Sequence, residues 1–422
     1  LLGKLSDNWL IRGTHLGSMN FNDQYAFLYM LMARRNLDQP LSTPNDSLIK
    51  FNQKIANTYK AGLGLAYLEE YEGQDAVEQS IRDFFENYKL REVSPADFER
   101  SLKKYAPRDI DWFFDTYVTT SNQIDYKIKD AEKIRDSIQV TIRNKTGTEV
   151  PISLFGVRKD TVVSKYWFQG FRESQTFQIP DMGEERLVLN YDQNIPEFNQ
   201  RDNWKSLGGF LSSNKKLKLQ FFRDSENPYY NQIFYMPVIN FNIYDGLTPG
   251  IRLTNKTLLQ RPFLFDVAPQ YALREKSLVG YGSITYRHYH GKSGFYVTNY
   301  SLRGSSSHFQ TNSRYSTITP SVSFGWRPDD LIPNVRSSLL FRYVNVFRTI
   351  DPSLGDLETH PDYSVFNARY SYLSNNIINY FSYFADAQHS ADFTKLALSV
   401  DYRRLMINIQ QIILRFFGGV FL

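Results

Sequence analysis

The amino-acid sequence predicts a multidomain α + β protein. It divides into an all-α part over residues 1–125, a small immunoglobulin-like β-sandwich over 126–205, and an antiparallel transmembrane β-barrel over 206–422. Three observations carry this. Apolar residues recur at helical spacing in the first part and at every second residue afterwards. From about Ile233 onward the alternating runs lengthen to roughly ten residues, the length a tilted strand needs to cross a bilayer. The chain holds 29 Tyr and 32 Phe, 16% aromatic with Trp, which suits the interfacial girdles of bacterial outer-membrane barrels.

Composition removes several function classes. No run of about 18 apolar residues occurs, and mean hydropathy is -0.44, so helical membrane spans are excluded. The absence of Cys excludes a disulfide framework and a cysteine zinc site. A net charge of +5, spread along the chain, does not suit nucleic acid. Leu1 to Leu10 has neither an initiator Met nor the basic start of a signal peptide, so the chain reads as a piece of something longer.

In the helical part, Asn22 and Asp23 are placed to cap a helix carrying Ala26, Phe27, Met30 and Leu31. Ser47 is expected to cap a second, with Phe51, Ile55 and Tyr59. A third run, Gly62 to Tyr71, stops at Gly73, a residue suited to the left-handed position after a helix. Asp75 opens a fourth, whose Val77, Ile81, Phe84 and Phe85 share a face. Ser94-Pro95-Ala96-Asp97 is a strong helix start: a cap, a proline with no amide to lose, and an acid at the positive end of the dipole. Asp109 to Val118 is read as a last short helix.

Period two begins near Tyr126. Ile138, Val140 and Ile142 alternate with Gln139, Thr141 and Arg143 before a turn at Asn144 to Gly147. Further short strands carry Ile152, Leu154, Tyr166, Phe168, Phe177, Ile179, Leu187 and Leu189, as a small sandwich requires. The barrel region is expected to hold about ten strands. Phe263, Phe265, Val267, Tyr271 and Leu273 share a face opposite Asp266 and Gln270. Ile318, Val322, Phe324 and Trp326 oppose a row of Ser and Thr. Leu396, Leu398, Val400 and Tyr402 oppose Lys395, Ser399, Asp401 and Arg403. In lipid every backbone amide needs a partner, and a sheet achieves that by closing on itself. The end of the chain, FFGGVFL from Phe416 to Leu422, breaks off inside strand-like sequence, so the barrel is expected to be incomplete.

The segment Ile55 to Tyr71, IANTYKAGLGLAYLEEY, resembles the stretch downstream of the zinc site in aminopeptidase N type zinc metallopeptidases. The matching positions are Tyr59, Lys60 and Gly62. Val93-Ser94-Pro95-Ala96-Asp97-Phe98, Asp111-Trp112-Phe113-Phe114 and Ile124-Asp125-Tyr126 follow in the family's order, and the last Tyr opens a β-sandwich there. The resemblance covers about residues 1–202. It implies that Tyr59 is catalytic, its hydroxyl stabilising the oxyanion during peptide cleavage. It also implies zinc in the parent protein, held by His-Glu-x-x-His and a further Glu. None of His15, His288, His290, His308, His360 or His389 lies in such a motif. The zinc ligands are therefore expected upstream of Leu1, and the chain alone is expected to be inactive.

Other candidates have plainer explanations. Lys60, a possible second oxyanion donor, reads as a solvated helix lysine. His288 and His290 share a strand face, as metal ligands can, but read as a polar strand end. His15, near Arg12, Gly13 and Thr14, reads as surface or core packing. Glu69, Glu70 and Glu72 read as a charged helix end. Arg303, Arg369, Lys395, Asp401 and Arg403 either line a pore or pair to fill the barrel interior. The loop Phe347 to Tyr363 is long enough to cap one end.

The expected function is an outer-membrane-anchored, aminopeptidase-like zinc peptidase, of which this chain is a fragment. Its expected partners are a peptide substrate, membrane lipid around the barrel, and other outer-membrane proteins. The alternatives are an inactive peptidase-like scaffold subunit of an outer-membrane assembly, and a barrel channel or transporter.

Overall fold

The computed structural model describes residues 14–18, 21–208, 214–291, 294–351, 362–406 and 410–422. Arg12, Gly13, His360, the Asn22 side chain and most of the loop after Phe347 lie outside the described residues. The described chain is predominantly β and divides into two compact units. One runs to Lys218 and takes in Glu226–Asn231; the other comprises Leu219–Ser225 and Gln232–Leu422.

The first unit opens with helices α1 (His15–Ser18), α2 (Phe21–Ala33), α3 (Asn57–Glu72), α4 (Gln74–Tyr88) and α5 (Pro95–Tyr105). Gly73 ends α3 with φ 97°, and its amide closes on the Glu69 carbonyl at 2.8 Å. Ser94 and Asp97 form a capping box at the start of α5: the Ser94 amide donates to Asp97 Oδ2 at 3.0 Å, with Pro95 at the first helical position. Two expectations need correction. Ser47 ends a short 3₁₀ turn (Asn45–Ser47) and caps no helix. The runs around Ile55 and Gly62 are one continuous helix, joined through a π-turn at Asn52–Ala56 that inserts an extra residue into the ladder. The segment after Asp111 is also π-type, Phe113–Val118.

Seven strands follow in two sheets. β1 (Tyr126–Ile134), β2 (Ser137–Asn144) and β5 (Ser174–Pro180) make one. β4 (Thr161–Phe168), β3 (Ile152–Arg158), β6 (Arg186–Leu189) and β7 (Trp204–Ser206) make the other, in that order. Ile138, Val140 and Ile142 of the first sheet and Ile152, Leu154, Leu187 and Leu189 of the second belong to one core with helical Tyr67, Leu68, Val77, Leu102 and Phe113. Helices and sandwich thus bury a single apolar interior, and neither half covers its own face. Tyr67 fastens the two parts, its hydroxyl donating to the Pro151 carbonyl.

The second unit is built on a twelve-stranded sheet in chain order: β8 (Lys216–Phe221), β9 (Tyr230–Asn242), β10 (Gly246–Thr254), β11 (Phe263–Ala272), β12 (Ser277–Tyr289), β13 (Phe295–Gln310), β14 (Ser313–Trp326), β15 (Asn334–Thr349), β16 (Tyr363–Asn375), β17 (Asn379–His389), β18 (Thr394–Leu405) and β19 (Gln411–Phe421). β9 to β19 form an antiparallel meander. There are twelve strands where about ten were expected. β8 has only six residues, and Pro249-Gly250 gives β10 the look of a turn. Among the described residues β8 and β19 end the order and are not paired, so the sheet is not closed into a ring. No described helix is long and apolar enough to cross a membrane.

Register sets the two faces. The row Tyr286, Tyr300, Val322, Phe341, Ala368, Ala387, Leu396, Val420 crosses eight strands on one side. Large apolar side chains on that side stay exposed, among them Ile239, Phe241, Ile284, Leu302, Ile318 and Phe366. The opposite side is a hydrogen-bonded polar layer. Arg252 and Lys256 both bind Asp266, at 2.5 and 2.6 Å. Asp386 holds Arg369 (2.7 Å), Asn367 (2.9 Å) and Gln388 (2.9 Å), and Asn367 in turn accepts from Arg342. Asn242 reaches the His308 carbonyl at 2.9 Å, and Asp245 the His308 Nδ1 at 2.5 Å. These contacts skip β10, β11 and β12, so the sheet curls there.

Candidate functional site around Tyr59

The π-turn places Tyr59 and Lys60 at the start of α3. Asn52, fully buried, locks that turn: Nδ2 donates to the Leu37 carbonyl at 2.8 Å and to Gln39 Oε1 at 3.0 Å. Gln39 also accepts the Ile49 amide at 2.9 Å and donates to the Ser47 carbonyl at 2.8 Å. A clamped helix start holds a side chain more precisely than a loop does.

The Tyr59 ring is half-buried and stacks on Tyr25 of α2, with centroids 4.6 Å apart and planes at 24°. Stacking fixes the ring plane and the line along which the hydroxyl points.

Lys60 is not the solvated lysine that the helix pattern suggested. It is 3% exposed, and Nζ donates to the Thr120 carbonyl at 3.0 Å and toward Gln39 O at 3.5 Å. The Tyr117 ring lies 5.6 Å from it and the Tyr29 ring 6.0 Å. Carbonyls and aromatic faces replace water around the ammonium, which allows its burial. Burial pushes the Tyr29 and Tyr117 phenols up from their ordinary range. The cavity beside Lys60, lined by Tyr29, Tyr117 and Asn122, is about 10 Å³, no larger than a water molecule. A peptide carbonyl cannot enter it, so Lys60 is a structural residue.

The three glutamates at the end of α3 diverge. Glu70 pairs with Lys165 at 2.8 Å, and Glu72 accepts the Arg108 amide at 3.0 Å. Burial lifts the Glu72 carboxyl above the usual carboxylate range, against that amide and the Arg108 charge. His288 and His290 stay together, rings 4.5 Å apart, but His290 is engaged by Thr298 Oγ1 at 2.7 Å and by the Phe295 ring. His15 is half-buried on α1. Among the described residues no three His, Asp or Glu side chains gather to hold a metal. Of the polar-face charges, Arg369 pairs with Asp386 and Asp401 with Arg415, while Lys395 lies over Phe421 and Arg403 over Tyr380.

Two charged clusters escaped sequence reasoning. Glu226 binds Arg34 and, at 2.8 Å, Arg201. Glu197, 1% exposed, accepts the Tyr126 amide at 2.8 Å and Asn203 Nδ2 at 2.6 Å. Burial pushes its carboxyl well up from the usual range. Beside it Asp125, bound to Lys145 at 2.8 Å, is pushed up to about 6, with burial outweighing the lysine. No local motif marks either cluster, because their partners come from distant parts of the chain.

No model of a known protein family matches the chain, and no curated relative matches it. Among solved structures it is similar to an aminopeptidase A of Legionella pneumophila crystallised with aspartic acid. The likeness has a TM-score of 0.31 and 16% identity, over 35% of this chain and 18% of that one. At that level it carries no weight for fold or activity.

Proposed function

We propose that this chain is the membrane-anchored portion of an outer-membrane protein whose body is of the zinc aminopeptidase kind. The observation that carries the anchor is the sheet with two unlike faces. One face exposes Ile239, Phe241, Ile284, Leu302, Ile318 and Phe366, and the other is a hydrogen-bonded polar layer. An apolar face that wide is a liability in water and an asset in lipid. In a bilayer the free edges of β8 and β19 have to be satisfied, which pairing the two edges to close the ring would do.

The peptidase half of the reading rests on the ordered motifs from Tyr59 to Tyr126. The described residues do not fit a zinc ion, so its ligands would come from elsewhere and no catalytic step is derived through the metal. Tyr59 is the residue of this chain that would face substrate, as an oxyanion donor. A second reading makes the first unit a non-catalytic scaffold for outer-membrane partners; an intact His-Glu-x-x-His upstream favours the enzyme and a degraded one the scaffold.

Alkaline extraction of membranes, followed by zinc content and peptide hydrolysis on the full-length protein in detergent, tests both halves. Retention in the membrane with about one zinc per chain and hydrolysis sensitive to chelation upholds the peptidase. Retention without zinc or hydrolysis leaves the scaffold. Release at high pH overturns the anchor.

A further inference from the structure

We propose that the polar face of the twelve-stranded sheet lines an aqueous path through the bilayer that selects small anions. The inference rests on the sheet being a closed bilayer anchor, and every residue it uses lies in the second unit.

The charges on this face do not balance. Strands β9 to β19 hold three acids, Asp266, Asp386 and Asp401, and each is engaged by a cation of the same face. Asp266 binds Arg252 at 2.5 Å, Asp386 binds Arg369 at 2.7 Å and Asp401 binds Arg415 at 2.5 Å. The other acids of the described second unit lie in turns and loops at the strand ends. Six further cations stand on the polar face with no ion pair among the described residues: Arg287, Arg303, Arg336, Arg342, Lys395 and Arg403. Register places them there. Arg303 lies in a row with Ser283 and Asp266, Arg342 in a row with Asn367, Gln388 and Lys395, and Arg336 in a row with Ser382 and Asp401. They are spread over β12, β13, β15 and β18, so positive potential extends along the sheet instead of gathering in one patch.

Unpaired cations at membrane depth need water or anions around them, because hydrocarbon solvates neither. The neutral partners on this face go only part of the way. Arg342 Nε donates to Asn367 Oδ1 at 2.9 Å and Arg287 Nε to Asn299 Oδ1 at 2.8 Å, while the buried Nη1 of Arg287 has no partner. Arg303, Arg336 and Arg403 are exposed, so the face is not packed solid. Width argues the same way. Side chains fill a ring of about eight strands, and rings of about sixteen leave a water channel. Closing this sheet takes at least its twelve strands, which is wider than side chains fill. A water-filled passage walled by one sign of charge concentrates the opposite ion and repels its own kind. Here the concentrated ion is an anion.

The full-length protein is reconstituted in phosphatidylethanolamine–phosphatidylglycerol vesicles, washed at high pH, and fused to a planar bilayer under a potassium chloride gradient. The reversal potential then gives the permeability ratio of chloride to potassium. The expected result is retention through the wash and a preference for chloride of about tenfold. Arg303→Glu with Arg336→Glu, two exposed positions without ion pairs, should cut that ratio about fivefold or more. Arg303→Gln with Arg336→Gln keeps polar side chains and should move it the same way by less. Retention without conductance means that protein fills the interior; it overturns the path and leaves the anchor. Conductance that prefers potassium or neither ion also overturns the path, as does an anion preference that both double variants leave unchanged. Release in the wash overturns the anchor and the path together.

Discussion

The hydroxyl of Tyr117 donates to the main-chain carbonyl of Lys60 at 2.7 Å, and the Tyr117 ring occupies the space where a methyl group on Gly64 would stand. A Cβ on Gly64 would lie 2.3 Å from Tyr117 Cε1. The ring is buried among Phe113 and Tyr67 and has nowhere to go. Gly64→Ala should therefore destabilise the first unit by about 1–3 kcal/mol, although alanine is the better helix former. Tyr117→Phe should cost about 1 kcal/mol, one hydrogen bond. Hydrogen exchange across α3 in the detergent-solubilised chain measures both. A Gly64→Ala chain with unchanged protection would mean that the ring packs elsewhere.

Tyr59 and Lys60 adjoin in sequence and differ in role. Tyr59→Phe removes a hydroxyl from a stacked, half-buried ring and should leave stability within about 0.5 kcal/mol. If the full-length protein hydrolyses peptides, the same change should lower kcat about 10²- to 10³-fold with little effect on KM. Lys60→Ala should instead destabilise by about 3 kcal/mol, because buried carbonyls lose their cation and a cavity opens. Melting and steady-state kinetics of the two variants separate the roles.

Asp125 and Glu197 give the first unit a specific pH dependence. Both carboxyls are raised in the fold, Asp125 to about 6. A raised acid binds its proton more tightly folded than unfolded. Its contribution is fully present below the unfolded value near 4 and is lost as pH climbs through about 6. For Asp125 the shift corresponds to roughly 3 kcal/mol. Tryptophan-monitored unfolding from pH 4 to 7.5 should show stability falling with pH, and Asp125→Asn should flatten the slope while stabilising the neutral end. A profile that rises with pH would contradict the burial of these groups.

How much of this was legible in the sequence depended on the range of the interaction. The alternation Phe263, Phe265, Val267 against Asp266 and Gln270 is a local pattern, and the structure puts Asp266 and Gln270 on the polar side as read. Gly73 and the box at Ser94 are likewise local chemistry. Lys60 was misjudged because its partners are Gln39 and Thr120, which no helical wheel contains. The π-turn at Asn52 was missed because its cause is a clamp from Leu37 and Gln39. Arg34 meets Glu226 across 192 residues, beyond any periodicity. Tyr59 was legible only through the order of motifs around it.

Leu302→Arg decides between water and lipid around the sheet. Leu302 sits mid-strand in β13, opposite Ile284 on one neighbour and Pro320 on the other, and is 48% exposed. On a soluble sheet an arginine there stays hydrated, and the change should fall within about 0.5 kcal/mol of neutral. On a lipid-facing sheet it puts a charge near the bilayer midplane and should cost about 2–4 kcal/mol. Arg303 next to it projects to the polar side, so Arg303→Leu is the matched control for side-chain size on the other face. Unfolding titrations of both variants in phospholipid vesicles compare them directly. A large loss for Leu302→Arg alone supports the membrane face. Equal, small losses would mean that the apolar side of the sheet meets water or protein, and the anchor would have to be abandoned.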